Sequence, residues 1–328
     1  MDDYLGTTYR FRIYPNVAQQ EKIEKNFGAC RFVYNFFLDE RIKAYQNQEQ
    51  SPSREMQKIE MTAMKQQRPW LRDAESTSLQ IVLDRLDFAY KRYFKWKKQG
   101  LKVGLPQRKR KHEFQQSYTS RCIDNGIRII DNKHVRLPKL GSVRCAVSKV
   151  VDGIIREATV TRSGSGKYYV CIRCKIDPVE IKKTGKKIGL AIRNDGLIAD
   201  SDGNSFSFRS ISYAEQAFDR FKNSLSRKPS GSKNWQKRLK EFSAFFEKTQ
   251  NQMMDDLNKI TTQLIKNYDI LYFPASLLEV DHAGRLIRML DYKAKRYGKK
   301  LEIVYNDSVD STIYQAAKEV LQKGLQIA

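Results

Sequence analysis

The sequence has few cysteines, and their spacing does not form a metal-binding pattern. Cys30, Cys122 and Cys145 are isolated, and Cys171 and Cys174 make one Cys-x-x-Cys with no second pair. The pair lies in a segment that alternates like a strand, so its two side chains should point to opposite faces. Since a structural zinc site needs four ligands, we expect no zinc site.

Long apolar runs and acidic residues are also scarce. No stretch approaches the ~18 apolar residues that cross a membrane, and Met1-Asp2-Asp3-Tyr4 lacks the charged-then-apolar pattern of a signal peptide. We therefore expect a cytoplasmic protein. The chain has 37 acidic residues and 61 Lys and Arg residues, which give a net charge of +24. This excess indicates a polyanion partner, with a ribosomal or membrane-surface protein as the alternative.

The first fifty residues predict a strand followed by a long helix. Residues 8–14 alternate, with aromatic and aliphatic side chains on one face and Arg10 and Arg12 on the other. Asn16 suits a helix cap, and an apolar stripe then continues to about Tyr45. The strand should therefore be half-buried, with a basic outer face.

A second long helix is predicted over 76–98, with its leucines and tyrosines on one buried stripe. A dense basic run follows at 107–112, and Phe114 and Tyr118 come after it. In a chain this basic, we interpret the run as a nucleic-acid contact. The alternative is a solvated loop.

The rest of the chain contains two regions that differ in the type and spacing of their predicted elements. Short strands with Gly and Asn turns fill 117–177 and predict a small barrel. From 186 to 328 strands alternate with helices, as in an RNase H-like domain. A helical hairpin should run from about 213 to 267, with a basic tip at 226–234.

Several segments of the chain resemble the TnpB family of transposon-encoded RNA-guided nucleases. They are Tyr-Arg-Phe-Arg-Ile-Tyr-Pro at 9–15, Gly-Ala-Cys-Arg-Phe-Val-Tyr-Asn at 28–35, Leu-Pro-Lys-Leu-Gly at 137–141, the run from Lys187 to Gly203, and Met-Leu-Asp-Tyr-Lys-Ala at 289–294 with Tyr297-Gly298. The resemblance implies an α+β multidomain fold. Its parts would be a wedge β-barrel (1–15 and 117–180), a helical recognition lobe (16–116) and a RuvC-type, RNase H-like α/β domain (181–328).

The resemblance fails at the positions that would bind metal. The family's first strand reads Gly-Ile-Asp-Leu-Gly, and here Ala191 stands at the aspartate while Gly189 matches in register. The second and third acidic motifs place Phe273 and Ile313 where a Glu and an Asp would be. Because hard divalent cations need oxygen ligands, these three positions imply an inactive nuclease.

The zinc ribbon that the family carries before its last helix is missing as well. Loss of both features resembles the nuclease-dead repressors of the family, called TldR. That likeness implies a monomeric ribonucleoprotein that holds a guide RNA and binds a double-stranded DNA target, with no catalytic magnesium and no zinc. It also implies a bacterial protein that associates with the nucleoid when target-bound.

The family pattern also supplies candidate binding residues. Ser76 and Gln80, at the start of the helix over 76–98, would read a short DNA motif beside the target, since Gln pairs well with adenine. Weaker candidates for this surface are Ser53, Arg54, Tyr118 and Thr119. Candidate RNA contacts are Arg10, Arg12, Arg108, Lys109, Arg110, Lys111, Lys139, Arg227, Lys228 and Lys233.

Two other functions remain open at this point. One is an active RNA-guided DNA endonuclease that uses relocated acids, for which Asp195, Asp200 and Asp202 are available near the first strand. The other is an RNA-binding pseudo-transposase that does not target DNA.

Overall fold

The chain forms two compact units in the structure, which is a computed structural model. The described residues are 5–111, 116–179, 181–193, 195–209, 214–275, 283–305 and 312–327. The N-terminal unit is Gly6–Ile176, and the described residues from Asp177 onward belong to the C-terminal unit. The helical lobe expected from the sequence (16–116) and most of the expected barrel (1–15 and 117–180) fall within the N-terminal unit. Their division into separate domains stays a prediction.

In the N-terminal unit, the described residues form three α-helices and a seven-stranded sheet. The helices are α1 (Val17–Gln46), α2 (Arg54–Gln67) and α3 (Ser76–Lys98), with a short 3₁₀ helix at Pro69–Arg72. The strands are β1 (Gly6–Tyr14), β2 (Gln116–Arg121), β3 (Arg128–Asp131), β4 (His134–Leu137), β5 (Gly141–Ala146), β6 (Ile154–Arg162) and β7 (Tyr168–Lys175). They pair antiparallel in the order β2-β6-β7-β1-β5-β4-β3. A closed barrel stays a prediction.

Local signals explain where these helices begin. Asn16 caps α1, and its side chain accepts a hydrogen bond from the backbone N–H of Gln19 at 2.8 Å. The Gln19 side chain in turn accepts a hydrogen bond from the backbone N–H of Asn16, which completes a capping box. Along α3, Leu79, Leu83 and Leu86 are all fully buried. The predicted apolar stripe is thus the buried face of α3.

The described residues of the C-terminal unit form a five-stranded mixed sheet and four helices. The strands are β8 (Lys187–Ile192), β9 (Leu197–Asp200), β10 (Ser205–Ser207), β11 (Ile270–Pro274) and β12 (Lys300–Val304). The helices are α4 (Glu215–Ser226), α5 (Lys233–Asn267), α6 (Ala283–Arg296) and α7 (Ile313–Ile327). The order is β10-β9-β8-β11-β12, with β8, β11 and β12 parallel and β9 and β10 antiparallel to their neighbours.

The architecture confirms the mixed α and β composition expected from the sequence, while the RNase H-like assignment stays a prediction. The helix predicted over roughly 76–98 corresponds to α3, and the predicted hairpin is formed by α4 and α5. On β7, Cys174 is buried on one face and Cys171 lies on the other, as expected. In the part of the chain that is described, we find no helix long and apolar enough to cross a membrane.

Candidate functional site

One face of the C-terminal sheet packs against α7, and the resemblance implies a metal centre there. Leu190 and Ile192 of β8 belong to an apolar cluster formed with α5 and α6, so Gly189 and Ala191 lie on the opposite face. A Cβ built on Gly189 would be 2.1 Å from the carbonyl oxygen of Ala317 in α7. The α7 backbone therefore rests directly on β8 on the face where Ala191 lies.

Two of the three predicted metal positions belong to the same interface. Ala191 is 1% exposed and pairs with Ala199 of β9. Ile313 is the first residue of α7, one turn before the buried Ala317. Residues four apart share a helix face, so Ile313 lies on the face of α7 that packs against the sheet. Neither side chain carries an oxygen that could bind a cation.

The choice of Phe273 as the third position is wrong on geometric grounds. Phe273 belongs to the apolar cluster with α5 and α6, whereas its neighbour Tyr272 packs with Val320 of α7. Successive strand residues point to opposite faces, so Phe273 lies on the face opposite Ala191. Pro274, the next residue of β11, is the one that shares the face of Ala191. The motif alignment is one residue out of register, and proline also lacks a carboxylate.

The acids considered for a relocated nuclease site form hydrogen bonds with neighbouring residues. Asp200 is 1% exposed, and its Oδ1 accepts hydrogen bonds from the backbone N–H of Asp202 at 3.1 Å and of Asn204 at 2.8 Å. Asp202 accepts a hydrogen bond from the Tyr268 hydroxyl at 2.8 Å. Burial, followed by this bond, raises the pKa of Tyr268. Both carboxylates therefore stabilise the loop after β9 and its contact with Tyr268.

The third of these acids, Asp195, is paired within the β8–β9 turn. Its carboxylate accepts a hydrogen bond from Arg193, which is the main reason why the pKa of Asp195 is lowered. Across the described ranges, no group of three His, Cys, Asp or Glu side chains is placed to hold a metal ion. The described residues therefore provide no assembled set of metal ligands. Segments 276–282 and 306–311, which contain further acids, lie outside them.

A different feature dominates the N-terminal unit: arginines collect on the exposed face of its sheet. Arg10 and Arg12 of β1 are exposed, while the intervening Phe11 is buried, as the sequence predicted. The guanidinium carbon of Arg10 lies 3.9 Å from the ring centroid of Tyr169, and that of Arg12 lies 4.9 Å from Tyr14. Such cation–π contacts hold the charges against a flat aromatic surface.

Neighbouring strands extend this surface with arginines that the sequence analysis missed. Strand register places Arg144 opposite Tyr14, Arg136 opposite Ser142, Arg128 opposite Arg136 and Arg173 opposite Thr8. Residues directly opposite one another share a sheet face. We name this surface the arginine face; its members are Arg10, Arg12, Arg128, Arg136, Arg144 and Arg173. Positive charge interleaved with aromatic rings suits a nucleic-acid backbone and its bases.

The basic run after α3 is docked on α1. The Asn35 side chain donates to the carbonyl of Lys109 at 2.9 Å and accepts from its backbone N–H at 2.8 Å. Arg108 pairs with Asp39 at 2.9 Å, and the Lys109 ammonium lies 4.4 Å from the Tyr34 ring centroid. These contacts argue against a purely solvated loop for Arg108 and Lys109.

Beside this run lies a small cleft of the N-terminal unit. It has a volume of about 230 Å³, and its lining includes Arg31, Lys109, Arg110, Gln116 and Ser117. Lys111 is exposed at the end of the described run. His112 and Phe114, which the sequence analysis included with it, lie outside the described residues.

The other predicted RNA contacts lie apart from one another. Lys139 is exposed, and its ammonium donates to the carbonyl of Arg72 at 3.0 Å, so it also closes the end of the 3₁₀ helix. Arg227, Lys228 and Lys233 lie at the tip between α4 and α5. Their role in RNA binding stays a prediction.

The predicted motif readers divide into accessible and inaccessible residues. Ser76 is exposed at the first position of α3, and Gln80 is half-buried one turn later. Ser53 caps α2 by accepting a bond from the backbone N–H of Met56 at 3.2 Å. Arg54 forms ion pairs on the same side of the unit and is 40% exposed.

Tyr118 and Thr119 are not available at this surface. Tyr118 is 3% exposed and packs its ring edge-on against Phe27, with 5.8 Å between centroids. Thr119 is 2% exposed and contacts Arg85, whose guanidinium donates to its hydroxyl at 2.7 Å. The structure therefore contradicts their placement as DNA contacts. The reason is that α1 and α3 cover β2.

Parts of the chain are similar to a known domain family and to a curated protein. A family model described as a helix-turn-helix domain (HTH_OrfB_IS605) matches residues 1–50. The described part of this region forms one strand and one long helix, β1 and α1. The "Virulence protein VsdF" of Salmonella dublin is 34% identical over 109 residues, which cover 30% of this chain and 89% of VsdF.

Two longer matches carry the name "Putative RNA-guided DNA endonuclease". InsQ of Escherichia coli (strain K12) is 27% identical over 273 residues, 80% of this chain. A protein of Streptomyces pristinaespiralis is 21% identical over 315 residues, 90% of this chain and 76% of its own length. The aligned part of this chain spans 64% of the length of InsQ. Together the matches support a TnpB-like protein: the chain is similar over most of its length to two proteins named as putative RNA-guided DNA endonucleases.

Proposed function

We propose that this protein is an RNA-guided, nuclease-dead DNA-binding protein that represses transcription. The observation that carries the proposal is the burial of Ala191, on the face of β8 that packs against α7, at the place where the resemblance implies a metal-binding aspartate. Pro274 and Ile313 supply no carboxylate at the neighbouring positions. A two-metal nuclease needs such oxygens to activate water and stabilise the leaving group.

Retained nucleic-acid binding is supported by charge and by the relatives. The arginine face and the docked basic run place exposed cations where a phosphate backbone could lie. The names of InsQ and the Streptomyces protein describe RNA-guided action on DNA. We infer that this chain takes a guide RNA and a duplex DNA as partners, in one monomeric ribonucleoprotein. Repression would follow from occupation of a promoter without cutting.

In the first experiment, the gene is expressed together with its native flanking DNA, and the RNA that copurifies with the protein is sequenced. We expect a structured RNA whose variable 3′ end matches a promoter. The ribonucleoprotein should then bind a matched duplex and leave it intact in Mg²⁺ or Mn²⁺, with an active RNA-guided nuclease as the positive control. A reporter under the matched promoter should be repressed.

The alternatives predict different results in the same assays. RNA that copurifies without any duplex binding would indicate an RNA-binding pseudo-transposase. Specific cuts that disappear in Asp195→Ala or Asp200→Ala would indicate an active nuclease with relocated acids. Cuts that depend instead on acids within 276–282 or 306–311 would place the metal ligands there.

Restoring the first carboxylate alone should not restore cleavage. Ala191→Asp would add one oxygen ligand beside residues that provide none, so the metals would still lack a complete site. It would also bury a charge, which lowers stability unless the charge is paired. Recovery of cleavage in this single variant would contradict the assignment of the neighbouring positions as vacated.

A further inference from the structure

Three cations converge on one carboxylate at the exposed side of α3. Asp84 accepts a hydrogen bond from Arg121 Nη2 at 2.5 Å and from Arg54 Nη1 at 3.2 Å, and the Lys58 ammonium lies 3.8 Å away. These residues come from β2 and α2, so the cluster joins three elements of the N-terminal unit. Glu55 takes a second bond from Arg54 at 2.7 Å. The cluster retains one net positive charge.

The cluster lies next to the residues proposed to read the DNA motif. Ser76, Gln80 and Asp84 are spaced four apart, so they form one stripe along α3. The backbone N–H of Arg121 donates to the Thr77 hydroxyl at 2.9 Å, which fixes the end of β2 against the first turn of α3. Arg121 is thereby held beside the Ser76–Gln80 surface.

The cluster leaves Arg121 able to bind a further partner. A guanidinium has five N–H donors, the bond to Asp84 uses one of them, and 46% of the side chain is exposed. Asp84 also fixes the direction of the side chain. A side chain that is already ordered loses less conformational entropy on binding. This is the arrangement expected of a pre-oriented recognition residue.

We infer that Arg121, oriented by Asp84, reads a guanine in the motif next to the position contacted by Gln80. The chemistry is specific, since an arginine fork matches the O6 and N7 acceptors of guanine in the major groove. Arg54 and Lys58 hold Asp84 in place and add positive potential. The inference rests on the proposed binding of duplex DNA by this helix.

The test is a motif selection with the intact ribonucleoprotein. Duplexes that match the copurified guide would carry randomised base pairs beside the matched segment, and bound duplexes would be sequenced. Wild type should enrich guanine at one position on the order of tenfold, as expected for a bidentate contact. Arg121→Gln should replace that preference with adenine, because Gln matches the adenine edge. Asp84→Asn should weaken the guanine enrichment without changing the preferred base.

Control variants distinguish a loss of base recognition from a loss of protein stability. Arg92→Ala removes one exposed cation from the far end of α3, so it should lower affinity equally for all motifs. Every variant should copurify with as much RNA as wild type and unfold at a similar temperature. A structural role for the cluster would lower stability and leave base preference unchanged.

The outcomes also separate this inference from the proposed function. If wild type retains no duplex, both fail. If Gln80→Ala changes the selected motif but Arg121→Gln selects the same guanine as wild type, the role of Arg121 is overturned and the proposed function stands. A shift from guanine to adenine in Arg121→Gln at a single position supports the inference.

Discussion

Gly189 determines how closely α7 can approach β8. A Cβ at this position would lie 2.1 Å from the Ala317 carbonyl oxygen and 2.7 Å from the Leu321 nitrogen. Because both atoms belong to the helix backbone, a rotamer change cannot relieve the clash, and α7 must move. The packing of α7 on the face of β8 where Ala191 lies therefore depends on this glycine.

We expect Gly189→Ala to lower the free energy of unfolding of the C-terminal unit by about 1–3 kcal/mol, the usual cost of overpacking. Urea denaturation and hydrogen exchange of the α7 amides would measure it. Gly104→Ala is the control, because no heavy atom lies within 4 Å of a Cβ built there. Equal stability of Gly189→Ala and the control would contradict the close contact.

The strands β11 and β12 and the loop before β8 meet at Asp269. Its carboxylate accepts hydrogen bonds from the backbone N–H groups of Thr184 at 2.9 Å and Gly185 at 2.7 Å, and it pairs with the buried Lys299. Its carbonyl accepts from the N–H of Lys300 at 2.9 Å. Burial alone would raise the pKa of Asp269, but the bonds from Lys299 and the two backbone groups outweigh it and lower the pKa.

A depressed pKa in the folded state means that the ionised carboxylate stabilises the fold. This stabilisation is present above the unfolded pKa of about 3.9 and is lost as the pH falls toward the lower folded value. We therefore expect Asp269→Asn to unfold more easily than wild type at pH 7, with the difference shrinking below about pH 4. Thermal unfolding measured across pH would show this trend.

The matched control for that variant is Asp255→Asn. Asp255 pairs with Lys259 on the surface of α5, where the two side chains are 58% and 73% exposed. Exposed pairs of this kind contribute little to stability, so the control should follow wild type at every pH. If the two variants behaved alike, Asp269 would not join the strands in the way described.

The molecule as a whole combines a net charge of +24 with an uneven distribution of arginine. If the arginine face holds single-stranded regions of RNA, removing one cation that neutralises a phosphate should reduce the slope of log K against log salt by about 0.7. The double variant Arg12→Ala with Arg144→Ala should thus weaken RNA binding and flatten the slope. Filter binding over a range of KCl concentrations would measure both effects.

An equal charge change elsewhere provides the comparison. Lys259→Ala with Lys295→Ala removes two exposed lysines from α5 and α6, each of which forms an i,i+4 pair with an aspartate. This control should leave the slope close to that of wild type. Identical slopes in the two double variants would mean that RNA responds to total charge and does not contact the arginine face.

Short-range patterns in the sequence sufficed to predict many elements. The spacing of apolar residues and the caps predicted α3, the start of α1 and the hairpin of α4 and α5, because helix periodicity and capping depend on residues within one or two turns. Alternation in residues 8–14 likewise predicted that Arg10 and Arg12 face outward. The resemblance to the family motif identified Ala191, which is buried on the face of β8 that packs against α7.

Only the tertiary structure decided which residues meet. The face of Phe273 depends on the pairing of β11 with β8, and a shift of one residue reverses it, so the motif alignment missed Pro274. Tyr118 is buried because helices that are distant in sequence cover β2. The arginine face and the Asp84 cluster each gather side chains from separate elements. Strand order and helix packing bring these charges together, and neither can be read from local spacing.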